Sequence, residues 1–320
     1  MGPTLDEIEQ AQASLAGVMV ETPVVSLPVS KLPARLPDAD VTVKLELFQH
    51  TNSFKARGAY LGIRGLDASA RQAGVVAASG GNHALAVAWS AKTAGVDALI
   101  AMPQATDPMR VEACRALGAR VELCADMPAA FALMEEEAAN GRFLMHPFEG
   151  AHMVLGSATL GAEYVAQAPN VDVFVVPVGG GGLISGMSAA IKLLKPEARV
   201  IGVEPVGADS MKRSFEAGSP QRLQRIDTIA DSLGSPLAMP LTYGIARANV
   251  DEIVHITDDD MRDAMRDYYT ALRIVAEPAC AASLAAACGP LKDRLAGQRV
   301  GIIACGSNIG LARYRELLGD

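Results

Sequence analysis

The stretch VDVFVVPVGGGGLISGMSAAIKLL (171–194) decides the fold, because an apolar run passes directly into four glycines and then into a helical pattern. Residues 171–178 predict a buried strand, and residues 183–194 predict a helix. At such a junction, bare main-chain N–H groups and the positive end of the helix dipole can converge on an anion. A phosphate fits this loop, and the structural alternative is a tight turn that needs positive φ or close packing.

The glycine loop does not match the standard nucleotide-binding motifs. In the Walker register, Met187 stands where the phosphate-binding lysine belongs, and GxGxxG fails because Ile184 or Ser185 takes the third glycine position. A phosphate that is not part of a nucleotide therefore remains open. The five histidines show no zinc-binding spacing and no GxSxG motif occurs, which disfavours metal-dependent and serine hydrolysis.

Outside this stretch, short apolar runs alternate with helical patterns. Further strands are predicted at 41–47, 74–79, 97–103, 119–124, 198–204 and 299–308. Helices are predicted at about 4–17, 82–94, 107–117 and 128–140, near Lys55 and from about 209. The alternation predicts an α/β protein whose parallel sheets are covered on both faces. Ligands then bind at the carboxyl ends of the strands, where the turns SGGN (79–82), GGGG (179–182) and CGSN (305–308) lie.

Composition excludes several classes of function. The 320 residues are 50% hydrophobic and carry a formal net charge of -8, which disfavours a nucleic-acid partner. The apolar runs are far shorter than the roughly 20 residues of a membrane span. Five cysteines without a CxxC pair indicate a reducing compartment, and the acidic N-terminus is not a signal peptide. We expect a soluble, cytoplasmic protein.

Two further segments carry candidate chemistry. In SFKARGA (53–59), Lys55 becomes a nucleophile if burial lowers its pKa, although most lysines are solvated surface charges. In SGGNHA (79–84), a hydroxyl, free amides and Asn82 suit a carboxylate, but a plain helix cap is equally compatible. Residues alone leave these alternatives open.

Taken in order, SFKARGA, SGGNHA, GGGG and CGSN resemble the fold type II family of pyridoxal 5'-phosphate (PLP) enzymes, specifically the serine/threonine dehydratase and serine racemase branch. HPFE (146–149), GVEP (202–205) and AEPA (276–279) extend the resemblance over residues 20 to 310. The resemblance implies a tryptophan synthase β-like fold of two domains, each an open, mostly parallel sheet flanked by helices.

The resemblance also implies the domain organisation. A smaller mobile domain of residues 48–149 would close over a larger domain made of 1–47 and 150–320, which binds the cofactor phosphate. About a dozen residues follow CGSN, so we expect no C-terminal regulatory domain. A homodimer is the family expectation.

The same resemblance assigns the cofactor site. Lys55 would bind PLP covalently as a Schiff base, Phe54 would pack against the pyridine ring, and Asn82 would hydrogen-bond the ring hydroxyl. Cys305 would lie beside the pyridine nitrogen. The phosphate would be held by Gly179, Gly180, Gly181 and Gly182.

Other residues are assigned to the substrate. The carboxylate would be bound by Thr51, Ser79, Asn82 and His83, with Gly80 in the same loop. The segment 228–254 would lie near the substrate side chain, and its specificity candidates are Ser232, Leu233 and Gly234. Arg110 and Arg247 are candidates to meet a second carboxylate, although single basic residues are usually solvated.

A neutral thiol at Cys305 does not keep the pyridine nitrogen protonated as a carboxylate would, so the ring is a weaker electron sink and elimination is favoured. Lys55 would remove the α-proton, and the β-hydroxyl would leave with a proton from the cofactor phosphate. The expected activity is an ammonia-lyase that acts on L-threonine or L-serine by default, with 3-hydroxyaspartate or a bulkier analogue as further candidates.

Alternative functions are amino-acid racemisation, β-replacement and a catalytically idle cofactor-binding protein. Racemases of this branch have a second serine where this chain has Gly80, which cannot carry a proton; a water could substitute. The intact Lys55 argues against an idle protein.

The resemblance extends weakly to a divalent cation site after GVEP. Its positions are Glu204, the Ala208 carbonyl and Ser210, whereas the metal-binding relatives have an aspartate at the last. The loss of one carboxylate weakens a site for Mg²⁺ or Ca²⁺, and Asp209 is a further candidate ligand.

Overall fold

The protein is described here by a computed structural model that covers residues 2–32, 35–36 and 38–319, and its strands form two sheets. The strands are β1 (Val24–Ser26), β2 (Asp40–Lys44), β3 (Val75–Ala78), β4 (Ala98–Pro103), β5 (Arg120–Cys124), β6 (Phe143–Leu144), β7 (Val173–Pro177), β8 (Arg199–Pro205), β9 (Glu252–Ile256) and β10 (Arg299–Ile303). The larger sheet has the order β1-β2-β10-β7-β8-β9, and the smaller has the order β5-β4-β3-β6. Only β1 is antiparallel to its neighbour among these described strands.

Helices cover the sheets. They are α1 (Leu5–Leu15), α2 (Lys55–Arg64), α3 (Ala68–Ala73), α4 (Asn82–Ala94), α5 (Pro108–Ala116), α6 (Met127–Ala139), α7 (Ala151–Gln167), α8 (Gly182–Leu194), α9 (Ser210–Ala217), α10 (Pro240–Asn249), α11 (Asp258–Leu272), α12 (Pro278–Cys288) and α13 (Leu311–Leu318). Within the described ranges, none of them has both the length and the apolar character of a membrane-spanning helix.

The core follows from the strand sequences. Every residue of β3 and of β7 is buried, as expected for strands covered on both faces, and α12 is buried along its whole length. The largest apolar cluster surrounds the six-stranded sheet, and separate clusters surround the four-stranded sheet. The predicted α/β class with parallel sheets is confirmed.

The predicted strand 299–308 ends early, at Ile303. The chain beyond it turns toward the segment before α2, where Gly306 pairs with Ser53 as an isolated bridge. The predicted strand 41–47 likewise ends at Lys44, and a short 3-10 turn follows it at Glu46–Phe48. Both departures lie at carboxyl ends of strands, where the main chain leaves the sheet to shape the site.

Candidate active site

Lys55 is the first residue of α2, and the segment before it is fastened to the end of β10. The Phe54 N–H donates to the Cys305 carbonyl at 3.2 Å, next to the Ser53–Gly306 bridge. Main-chain pairing therefore brings the predicted cofactor lysine and the predicted ring-nitrogen residue together.

The ammonium group of Lys55 is enclosed by protein. Nζ donates to the Pro147 carbonyl and lies 5.0 Å from the centroid of the Phe54 ring. Burial lowers the pKa of Lys55 to about 8, and the nearby Cys305 opposes this shift. A substantial fraction of the amine is neutral near that pH, as a nucleophile or a proton acceptor requires.

The glycine loop between β7 and α8 is shaped as an anion cradle. Gly179 and Gly181 have φ of 55° and 88°, values that residues with a Cβ rarely adopt. A Cβ at Gly180 would overlap the ring of Phe148, which rests on the loop. Because α8 begins at Gly182, its first N–H groups have no partner within the helix and are available to an anion.

The predicted specificity segment touches this loop. A Cβ at Gly179 would lie 3.2 Å from the Ser232 carbonyl and 3.3 Å from the Leu233 Cα. Gly234 follows them as the last residue of the same turn, after a short 3-10 helix at Asp231–Leu233. The structure therefore places Ser232 and Leu233 beside the glycine loop.

The loop between β3 and α4 contains the predicted carboxylate residues. Ser79 Oγ accepts from the Gly81 N–H at 3.1 Å, and α4 begins at Asn82 without a side-chain cap. His83 Nε2 lies 2.7 Å from the Met145 carbonyl and must donate to it, because a carbonyl only accepts. Burial lowers the pKa of His83 well below its usual value. The unprotonated Nδ1 of His83 cannot donate to a carboxylate, so any contribution of His83 comes from its main-chain N–H.

Asn82 is held by two residues from the other side of the molecule. Its Nδ2 donates to Glu277 Oε1 at 2.6 Å, and its Oδ1 accepts from Asn308 Nδ2 at 2.6 Å. Glu277 Oε2 accepts from the Asn308 N–H at 3.1 Å. Burial raises the pKa of Glu277 to about 7. One donated and one accepted hydrogen bond therefore fix the Asn82 amide, and its Nδ2 also lies 3.5 Å from Ser232 Oγ, a long contact.

Thr51 and Cys305 complete the predicted set. Thr51 has a φ of 57°, which is strained for a β-branched residue, and its buried Oγ1 has no partner. Cys305 is buried, and its hydrogen bond with Cys280, together with burial, raises the pKa of its thiol well above the usual range. The thiol is therefore neutral.

The comparison with known proteins agrees with this geometry. The family model described as "Pyridoxal-phosphate dependent enzyme" matches residues 16–306. This chain belongs to that family.

Individual relatives place it among PLP enzymes that act on amino acids. The chain is 46% identical over 285 residues to the phenylserine dehydratase of Ralstonia pickettii, with 89% of this chain and 87% of that protein covered. It is 37% identical to the L-threonine ammonia-lyase of Thermotoga maritima, with 96% and 76% covered. The solved structure of maize serine racemase superposes with a TM-score of 0.93 at 33% identity and covers 99% of this chain and 97% of that one. The expected fold type II architecture of two sheet domains and the expected branch are confirmed.

The site residues fit PLP. The glycine loop is a cradle that a Cβ would fill, and buried polar atoms without partners surround the lysine segment, including Thr51 Oγ1 and Ser53 Oγ. In this PLP enzyme, Lys55, Asn82, Cys305 and the glycine loop are thus available for the amine linkage, ring hydroxyl, ring nitrogen and phosphate.

The HPFE segment does more than its sequence indicated. Pro147 accepts from Lys55, Phe148 rests on the glycine loop, and Glu149 accepts from the first N–H groups of α10, at Leu241 and Thr242. The sequence also does not reveal that Glu277, in the AEPA motif, binds the side chain of Asn82. The family motifs identify both segments as part of the resemblance. The residues that these segments contact are too distant in sequence for the contacts to be predicted from the sequence.

The predicted cation site has little free ligand capacity. Both carboxylate oxygens of Glu204 accept main-chain N–H groups, from Met211 at 3.0 Å and Lys212 at 2.8 Å. The Ser210 hydroxyl is buried without a partner, and Asp209 pairs with Arg213 at 2.8 Å. Across the described part of the chain, no group of three or more His, Cys, Asp or Glu residues could hold a metal ion. The prediction of a cation at Glu204, Ala208 and Ser210 therefore gains no support.

Proposed function

We propose that this protein is a PLP-dependent ammonia-lyase that converts a β-hydroxy amino acid to a 2-oxo acid and ammonia by α,β-elimination. The observation that carries the proposal is the enclosed amine of Lys55, whose pKa burial lowers to about 8 and whose hydrogen-bond partner, Pro147, directly precedes the Phe148 ring on the glycine loop. The relatives named dehydratase and ammonia-lyase support this reaction class.

The residues of this chain have separate roles in the proposed reaction. When bound, PLP supplies an electron sink for the bond that breaks at the α-carbon. Lys55 Nζ takes and holds the α-proton. The main-chain N–H groups at the start of α4 would orient the carboxylate, and the neutral Cys305 thiol would lie beside the ring nitrogen without supplying the negative charge that keeps it protonated.

The substrate panel starts with L-serine and L-threonine, followed by 3-hydroxyaspartate. The relative at 46% identity adds phenylserine. Purified, PLP-loaded protein is incubated with each stereoisomer, and 2-oxo acid is measured together with the chirality of the remaining substrate. Lys55→Ala is the blank. Oxo acid from at least one member with unchanged optical purity is the expected result, and racemised substrate without oxo acid would overturn the proposal.

Racemisation is the second candidate, because the maize serine racemase structure is so similar. The specific observation on this site is Gly80, which presents no side chain to the substrate. A Cβ there would lie 2.6 Å from Thr106 Oγ1, so the loop has no space for a serine in its present form. This observation favours elimination.

We further propose the domain boundaries at residues 48 and 149, a homodimer and a cytoplasmic location. The four-stranded sheet lies wholly between these boundaries, which supports them. The location is supported by the five free thiols of the chain. Sedimentation of the holoenzyme and limited proteolysis at the two boundaries test the first two points.

A further inference from the structure

Three half-buried rings lie side by side near Lys55 and are not used by the chemistry proposed above. They are Phe131 on α6 and His146 and Phe148 after β6, and we call them the aromatic wall. The centroids of Phe131 and His146 are 6.1 Å apart, and those of His146 and Phe148 are 4.7 Å apart in an edge-to-face arrangement. These distances are within the range of favourable aromatic pairing.

The aromatic wall is anchored to the site at both ends. Pro147, between two of its members, accepts the hydrogen bond of Lys55, and the Phe148 ring rests on Gly180. At the other end, Phe131 packs on the apolar cluster that includes Ala78, the residue before Ser79. The wall therefore extends from the glycine loop, past the carbonyl that Lys55 binds, to the apolar cluster that includes residues of β3.

The aromatic wall carries no charge. His146 Nδ1 accepts from the N–H groups of Phe148 at 3.4 Å and Glu149 at 2.9 Å, which requires an unprotonated nitrogen. Burial, helped by the charge on Lys55, lowers the pKa of His146 to about 4. All three rings of the wall are therefore neutral, and they lie beside the segment that binds Lys55.

Arg110, the nearby candidate for a second substrate carboxylate, is already engaged. Its guanidinium bonds Asp231 at 2.8 Å, the Asn308 carbonyl at 2.6 Å and the Gly80 carbonyl at 3.2 Å. The Nε of Arg110 is buried without a partner, so a second substrate carboxylate would have to reach that buried nitrogen or displace one of these contacts. The surroundings therefore favour an apolar substituent on the β-carbon over an acidic one.

We propose that the aromatic wall binds the β-substituent of the substrate and selects β-hydroxy amino acids that carry an aryl ring. The inference rests on the proposed lyase function and adds its substrate class. An aryl ring gains apolar burial and edge-to-face contacts that the methyl group of threonine cannot make.

The test compares phenylserine with threonine. We expect kcat/KM of the wild-type holoenzyme to be at least about tenfold higher for phenylserine, and Phe131→Leu to reduce that preference by about tenfold, mainly through KM. Phe131→Tyr keeps the ring and retains the preference. Phe215→Leu, at a half-buried ring on α9 that contacts Tyr243 instead, is the matched control and leaves the preference unchanged.

A binding measurement separates this inference from the lyase proposal. L-Phenylalanine and L-alanine lack the β-hydroxyl, and their dissociation constants from the holoenzyme are measured by calorimetry. Tighter binding of phenylalanine that weakens in Phe131→Leu supports the wall even if no oxo acid is formed. If the preference for the ligand with the aryl ring is the same in the wild type and in Phe131→Leu, in both assays, the inference is overturned. The lyase proposal is not affected by that result.

Discussion

Lys55 shows at the scale of one residue how burial sets reactivity. Its pKa of about 8 means that the neutral fraction rises about tenfold between pH 7 and pH 9, whereas an ordinary lysine stays almost fully charged. We expect the rate at which added PLP binds the apoprotein to rise about tenfold over this interval. Stopped-flow absorbance measures that rate. A rise of about a hundredfold would mean that the pKa of Lys55 is that of an ordinary lysine. Lys55→Arg gives the signal of non-covalent binding.

Glu277 accepts a hydrogen bond from Asn82, and we propose that it acts on the cofactor through Asn82 as a positioning residue. In Glu277→Gln, the new amide nitrogen would face one of two donors, the Asn82 side chain or the Asn308 N–H. A mismatched buried group of this kind weakens PLP binding by about tenfold or more. Equilibrium titration with PLP measures the change, and the absorption maximum shifts if Asn82 turns away. Glu136→Gln, at an exposed site on α6, is the control, and equal affinities would contradict the role.

At the scale of elements, the loop between β3 and α4 has little free volume. A serine in place of Gly80 would press on Thr106, so Gly80→Ser should destabilise the protein by about 1–3 kcal/mol. Adding Thr106→Ala removes the obstructing hydroxyl and restores stability. Thermal unfolding tests both variants, and unchanged stability in Gly80→Ser would show that the loop adapts freely. Any gain in racemisation should appear only in the double variant, because racemases of this branch have a serine at this position and Thr106 obstructs one in the present loop.

Sequence patterns located the turns of the site because each follows an apolar strand. They could not reveal α12, which is buried on every side and so lacks an amphipathic period, or β1, which has only three residues. The partners of the site residues were equally hidden. Asn82 and Glu277 are 195 positions apart, and only the assembled fold brings them together.

Across the whole molecule, Arg110 connects the two parts that carry the two sheets. Loss of its side chain in Arg110→Ala removes the contacts to Asp231, Asn308 and Gly80 together. We expect KM to rise about tenfold, because the 79–83 loop is no longer held in its position relative to the six-stranded sheet. Hydrogen exchange should increase in that loop and in the 231–233 turn.

Arg313→Ala removes an exposed ion pair with Glu316 on α13 and serves as the control, because such pairs contribute little. If Arg110→Ala leaves KM and hydrogen exchange unchanged, the two parts are held together by other contacts.

The bridge between residues 53–54 and 305–306 has a wider consequence for how such an enzyme can change. It is made of main-chain bonds, so it does not depend on which side chains surround it. The rings of the aromatic wall, in contrast, act only through their side chains. Descendants of this protein could therefore exchange those rings and acquire new substrates while inheriting the same reactive centre.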